Sequence, residues 1–160
     1  MDSEAPFRPA WSAVSGLTVQ PVNHCPNSFY RYLYGEVGRE YHWVDRLEWS
    51  EERLREYLDD SNLLLRVLWV EGAPAGYYEL MREADDSIQI AYFGLLPDFL
   101  GRGLGKHLLS VAIEEAWSLK PTHLWLHTCS LDSPHALPNY LARGFTPERE
   151  EEYTAYLPPK

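Results

Sequence analysis

Long apolar runs are missing from this 160-residue chain, and no stretch is continuous enough to span a bilayer. The opening Met1-Asp2-Ser3-Glu4-Ala5-Pro6 lacks both a basic cluster and an apolar run, so it does not read as a secretory signal. Together these absences point to a soluble, cytoplasmic protein with no membrane partner. Basic residues are scarce: 14 Lys and Arg stand against 24 Asp and Glu, a net charge of −10. That balance argues against nucleic acid, whose phosphates are met by stripes of Lys and Arg. It mildly favours a cationic acceptor such as an amine, although surface acid more often serves solubility alone. With only Cys25 and Cys129 there is no disulfide framework, and free thiols are expected. The His, Cys and acidic residues fall at no metal-ligand spacing, so no metal is expected. Neither a repeat nor a low-complexity segment is present. The length suits one domain with a proper core.

What is present alternates strands with helices. Residues 1–16 read as a loose, Pro-bearing tail ahead of a single domain over 17–160. Leu17–Val22 is a first strand, and Pro26-Asn27-Ser28 opens a helix through Tyr30, Leu33, Tyr34 and Val37 that Gly38 closes. Ser50 is an N-cap, with Glu51 and Glu52 in the first turn of a helix through Leu54, Tyr57 and Leu58. Leu63–Val70 and Ala75–Arg82 read as strands joined by a hairpin turn, and Ile88–Leu96 follows. A helix then carries Leu104, Leu108, Leu109, Ala112, Ile113, Ala116 and Trp117 toward the core. Thr122–Thr128 and Arg149–Leu157 complete the strands, and a fourth helix lies between them. This order predicts an α/β domain with a mixed sheet. Pro138 fits that fourth helix badly. If the helix opens at Pro134, Pro138 deletes an intrahelical bond at about 3 kcal/mol, so it starts at Pro138 or kinks there.

The densest chemical signal is Gly101-Arg102-Gly103-Leu104-Gly105-Lys106, a turn of alternating glycines between strand and helix. Such a turn lets backbone approach a ligand and aims successive N–H groups into one concavity. The helix N-terminus adds unpaired N–H groups and the positive end of its dipole, which suits phosphate or pyrophosphate. Neither the P-loop nor the dinucleotide spacing is met, because His107 follows Lys106 and Lys106 stands where a third glycine belongs.

What survives is x-x-Gly-x-Gly after a strand. It resembles the acetyl-coenzyme A loop of the GNAT N-acetyltransferase superfamily, with Gly103 and Gly105 in the small positions and Leu100 replacing the usual Gln or Arg. A second stretch, Ser133 to Phe145, is similar to the family's other signature, with Ala136, Tyr140, Gly144 and Phe145 in place and Ser133 for the usual Asn. The resemblance implies a GNAT-like, mixed but mostly antiparallel twisted sheet flanked by about four helices. It implies acetyl-CoA as co-substrate, held by Gly101 to Lys106 and by Ser133, with pantetheine along Phe93, Gly94 and Leu95 like an added strand. One backbone amide of that strand would polarise the thioester carbonyl. The reaction implied is direct acetyl transfer to a primary amine of a small molecule, with Tyr140 as general acid. Many relatives pair, so the resemblance allows a homodimer.

The base is open between three readings. Glu79 is a carboxylate in an apolar strand, His127 ends a strand with an imidazole, a group suited to base catalysis, and water is the third. Gln89 lies where some relatives carry a catalytic Glu, and an amide cannot do that work. On the acceptor side, Tyr30, Tyr34, Trp43 and Arg46, with Tyr41, His42 and Trp49 nearby, read as an aromatic-lined pocket. There a cation–π contact would hold an amine. The same rings fit plain core packing, and Arg46 fits a carboxylate grip instead. The rival function is a non-catalytic acyl-CoA-binding module or regulatory sensor.

Overall fold

Five strands and four helices form one sheet with helices on both faces in the computed structural model, which describes residues 1–155 and 157. In chain order they are β1 Leu17–Pro21, α1 Asn27–Gly38, α2 Glu51–Leu58, β2 Leu63–Val70, β3 Ala73–Arg82, β4 Ile88–Leu95, α3 Leu104–Ser118, β5 Leu124–Leu126 and α4 Ala136–Arg143. The strands lie in sequence order; β1 to β4 are antiparallel, and β5 runs parallel to β4.

The central strands β2, β3 and β4 divide their side chains between two cores. On one face, α1 buries Tyr30, Leu33, Tyr34 and Val37, a helical stripe, with Leu54 of α2 against Leu65, Val67 and Tyr77. On the other, α3 buries Leu104, Leu108, Leu109, Ala112, Ile113 and Ala116 against Leu68, Tyr78, Leu80, Ile88 and Ile90. Ser50 caps α2 as its sequence predicts, accepting from Arg53 N–H at 3.1 Å. Among the described residues, no helix is long and apolar enough to cross a membrane.

Two irregularities shape the region of interest. The pairing of β4 with β3 slips between Glu79 and Leu80, so that Ala91 is an extra residue. Ile88 and Ile90 pack toward α3, yet beyond the bulge it is Phe93 that does so, while Tyr92 turns toward α1. The second irregularity is divergence. β5 pairs with β4 only over Ile88 to Ile90, so among the described residues β4 from Ala91 onward has no strand on that side. A V-shaped gap opens there.

Three expectations need correction. Residues 1–16 are not a loose tail. Leu124 N–H donates to Met1 C=O at 2.9 Å, Arg8 N–H to Arg143 C=O at 3.0 Å, and Ala10 N–H to Ser110 Oγ at 2.8 Å. Ser12 N–H reaches His107 Nδ1 at 3.2 Å, and Trp117, half-buried, donates to Met1 Sδ. The segment is a strap across α3 and α4, its start clamped where His123 sits between Asp2 and Glu148. Secondly, the described residues of Arg149–Leu157 form no strand. Lastly, Pro138 breaks nothing. It is the third residue of α4, in the first turn, where no N–H has an intrahelical partner; the first such bond is Asn139 N–H to His135 C=O at 3.1 Å.

Candidate active site

A cleft of about 620 Å³ occupies the gap between β4 and β5. Its walls are Gln89 to Leu95 of β4, Leu126 and His127 at the end of β5, the segment Leu131 to Asn139 with Tyr140 of α4, and Tyr34 to Arg46 from α1 and the loop after it. Leu100 and Gly105 close the end nearest the glycine turn.

That turn does what its sequence predicts. Gly101 and Gly103 take φ of +76° and +74°, which side chains resist, and Gly103 caps α3. Gly105 is different. It is helical, and a Cβ there would meet nothing closer than Leu95 Cδ1 at 3.8 Å and Asn139 Nδ2 at 3.9 Å. Neither φ nor the chain's own packing demands glycine, so the bare backbone leaves a cradle open toward the cleft. The N–H groups of Leu104, Gly105 and Lys106 lack intrahelical partners by virtue of their place in the first turn. Arg102 stacks its guanidinium over Phe99, 5.2 Å from the ring centre. Leu100 is 47% exposed, so substituting the polar residue common at this place leaves an apolar lip.

Tyr140 meets Phe93 edge-on at 6.3 Å between centroids and is 8% exposed. Burial, and then the Asp132 carboxylate, hold its phenol above the usual tyrosine range. It therefore stays protonated at neutral pH, as an acid must. Ser133 lines the cleft and spends its Oγ on accepting from His135 N–H at 3.2 Å. His127 is exposed at the mouth, and Cys129 beside it is a free, half-buried thiol. Gly94 lines the cleft too, but its glycine has another cause: a Cβ would come within 2.5 Å of Val37 Cγ1. Close seating of α1 on the sheet requires it.

The structure separates two residues from the cleft. Glu79 is 0% exposed and accepts from Arg46 Nη1 at 2.6 Å, Tyr57 Oη at 2.6 Å and Tyr30 Oη at 2.9 Å. It does not line the cleft; a carboxylate so engaged is an anchor for Arg46, not a base with access to an acceptor. Tyr30, 1% exposed, belongs to the same buried cluster and not to a substrate pocket. Its phenol is driven upward by burial and then by Glu79. Tyr34, Trp43 and Arg46 do line the cleft.

The expected cation–π seat is already filled. Arg46 places its guanidinium 4.1 Å from the Tyr57 ring centre, 4.4 Å from Tyr92 and 5.0 Å from Trp49. Tyr34, Trp43 and Tyr92 pack against one another at 4.8–5.5 Å, leaving no space for a cation between them. Burial is the largest single influence and would lower the Arg46 pKa, but Glu79, Tyr30 and Tyr57 together outweigh it and the group is held cationic.

Sequence reasoning missed Tyr92, Asn139 and Tyr153. The bulge at Ala91 hides Tyr92's facing from simple alternation, and Asn139 carries its only signal in standing next to Tyr140. Tyr153, Ala155 and Leu157, alternate residues of the C-terminal segment, all reach the cleft.

A model of the acetyltransferase (GNAT) family matches residues 29–145. A search of curated protein sequences finds no match. Among solved structures, AAC(6')-Iy in complex with a CoA-containing bisubstrate analogue is 18% identical, with a TM-score of 0.64 over 89% of this chain and 99% of that one. An acetyltransferase of Trypanosoma brucei is 20% identical, with a TM-score of 0.63 over 88% and 99%. An aminoglycoside acetyltransferase from an uncultured soil metagenomic sample is 15% identical, with a TM-score of 0.62 over 88% and 95%. At these identities the likeness establishes the shared fold, a five-stranded, mostly antiparallel sheet with four helices.

Proposed function

Since the chain belongs to the acetyltransferase (GNAT) family, we propose that it transfers an acetyl group from acetyl-coenzyme A directly to a primary amine of a small molecule. The observation that carries this reading is the convergence of three features on one cleft: the open cradle at Gly105, the unpaired stretch of β4, and the protonated Tyr140. Acetyl-coenzyme A would supply an activated thioester. The backbone from Gly101 to Lys106 would hold its diphosphate, with the Arg102 and Lys106 charges beside it. The edge of β4 along Phe93, Gly94 and Leu95, where outward backbone groups alternate with those bonded to β3, would take its pantetheine as a sheet takes a strand, and an outward N–H would stabilise negative charge developing on the carbonyl oxygen. Ser133 would contribute a hydroxyl contact.

Tyr140 would supply its phenolic proton to the leaving thiolate. With Glu79 sealed away, His127 at the cleft mouth or a water would take the proton of the acceptor nitrogen. A cleft of this volume fits a small acceptor. Two of the similar structures are of enzymes described as aminoglycoside acetyltransferases, which supports an amine. The Tyr140→Phe variant tests the proposal. Turnover should fall by about 10²- to 10⁴-fold, the usual worth of a positioned acid, while affinity for acetyl-coenzyme A is unchanged. Acetyl-coenzyme A binding without coenzyme A release on any amine would show a binding module instead.

A further inference from the structure

Arg46 is the most unusual group in the cleft, because it is almost buried and only partly used. Its side chain is 11% exposed. A guanidinium carries five N–H donors. Nη1 serves Glu79 and Tyr30. Among the described residues, Nη2 and Nε donate to nothing, yet they are not sealed off, and Arg46 forms part of the cleft wall. Three donors of one cation therefore have no acceptor among the described residues.

The surroundings hold the guanidinium in place. The ring centres of Tyr57, Tyr92 and Trp49 lie within 5.0 Å of its carbon, and Glu79 holds one corner through Nη1. Arg46 N–H also donates to Tyr34 Oη at 3.4 Å, so main chain and side chain are both tied down. A fixed planar fork presenting parallel N–H groups matches a carboxylate better than a point-charge or neutral partner. Besides the Cys129 thiol and the phenols, the titratable groups of the wall are His42, Asp45, His127, Asp132 and His135. Asp45 is exposed and Asp132 is engaged with Thr128 Oγ1 and Cys129 N–H. Neither neutralises the open side of Arg46.

We infer that Arg46 binds a carboxylate on the acceptor, so that the substrate is an amino carboxylate (an amino acid or short peptide) and not a polyamine or aminoglycoside. The inference rests on the acetyltransferase reading and specifies its substrate class. A polycationic acceptor brings further donors to an edge that needs acceptors, whereas a carboxylate supplies acceptors for the unused N–H groups.

The test measures coenzyme A release from acetyl-coenzyme A with the common α-amino acids, dipeptides, their methyl esters, spermidine and sisomicin. At least one free acid should turn over, and its methyl ester should lose about 10- to 150-fold in kcat/KM, the worth of a charged hydrogen-bonded contact. Because Arg46→Gln leaves Glu79 alone and risks misfolding, the working variant is Arg46→Gln with Glu79→Gln. It should show the same loss on the acid and little on the ester, with the change in KM. Turnover of spermidine or sisomicin without any free acid overturns the inference and leaves the enzyme reading intact, as does equal use of acid and ester. Acetyl-coenzyme A binding with no acceptor consumed overturns both.

Discussion

Replacing Glu79 with Gln distinguishes a structural anchor from a catalytic base. The change keeps shape and removes one charge. Arg46 would lose its 2.6 Å ionic partner inside a cluster where Glu79 has no exposure at all. Removing one member of such a pair costs about 3–5 kcal/mol, because the other charge stays desolvated and uncompensated. The amide also supplies one acceptor oxygen for the three donors that the carboxylate satisfied, so a buried donor from Tyr30, Tyr57 or Arg46 loses its acceptor. For a domain of this size each kcal/mol moves the melting midpoint by about 2–4 °C, so a loss of roughly 6–20 °C is expected. Calorimetry and urea titration followed by circular dichroism read it directly. The Arg46→Gln, Glu79→Gln pair should recover much of the loss, since no lone charge remains. Any activity change in Glu79→Gln should appear in KM at temperatures where the protein is folded. A variant that melts with the parent while kcat collapses by orders of magnitude would refute the anchor and restore the base.

Two further outcomes are expected. Burial lowers the His107 pKa, and its Nδ1 accepts Ser12 N–H only when neutral. The unfolded chain takes up that proton near pH 6.5, before the native state does, so this contribution to stability is present above that pH and is lost as pH falls below it. Urea midpoints between pH 5 and 7.5 should show a slope that His107→Gln reduces, and hydrogen exchange in residues 8–14 should quicken on the acid side. Truncation after Glu150 removes Tyr153, Ala155 and Leu157 from the wall. Acceptor KM should rise while calorimetric affinity for acetyl-coenzyme A holds.

Local chemistry made much of the fold legible in the sequence. The Ser50 cap, the strand of β2 and the helical stripe of α1 each follow from residue type and spacing. The glycine turn was legible for the same reason, since alternating glycines before a helix have few uses. Long-range partnerships were not legible. Nothing near Glu79 in sequence announces that Arg46, Tyr30 and Tyr57 converge on it from three separate places. Aromatic density after α1 reads as a substrate cage because composition cannot reveal that a neighbouring arginine occupies it. The strap of residues 1–16 looked loose because its bonds run to residues about a hundred positions away. Pro138 looked disruptive only because the first turn of α4 was placed too early.

The extra residue at Ala91 makes the fourth strand sensitive to register in a way its composition hides. Tyr92, Phe93 and Leu95 keep their facings only while Ala91 stays outside the ladder. Deleting Ala91 would leave a regular strand with each of them on its present side, whereas drawing Ala91 into the pairing would turn Phe93 and Leu95 away from Tyr140 and α3 and drive Tyr92 into the space they now fill. Point substitutions along this strand adjust the walls one at a time, whereas a one-residue slip would exchange both walls at once. Register in this strand is therefore held more tightly than residue identity.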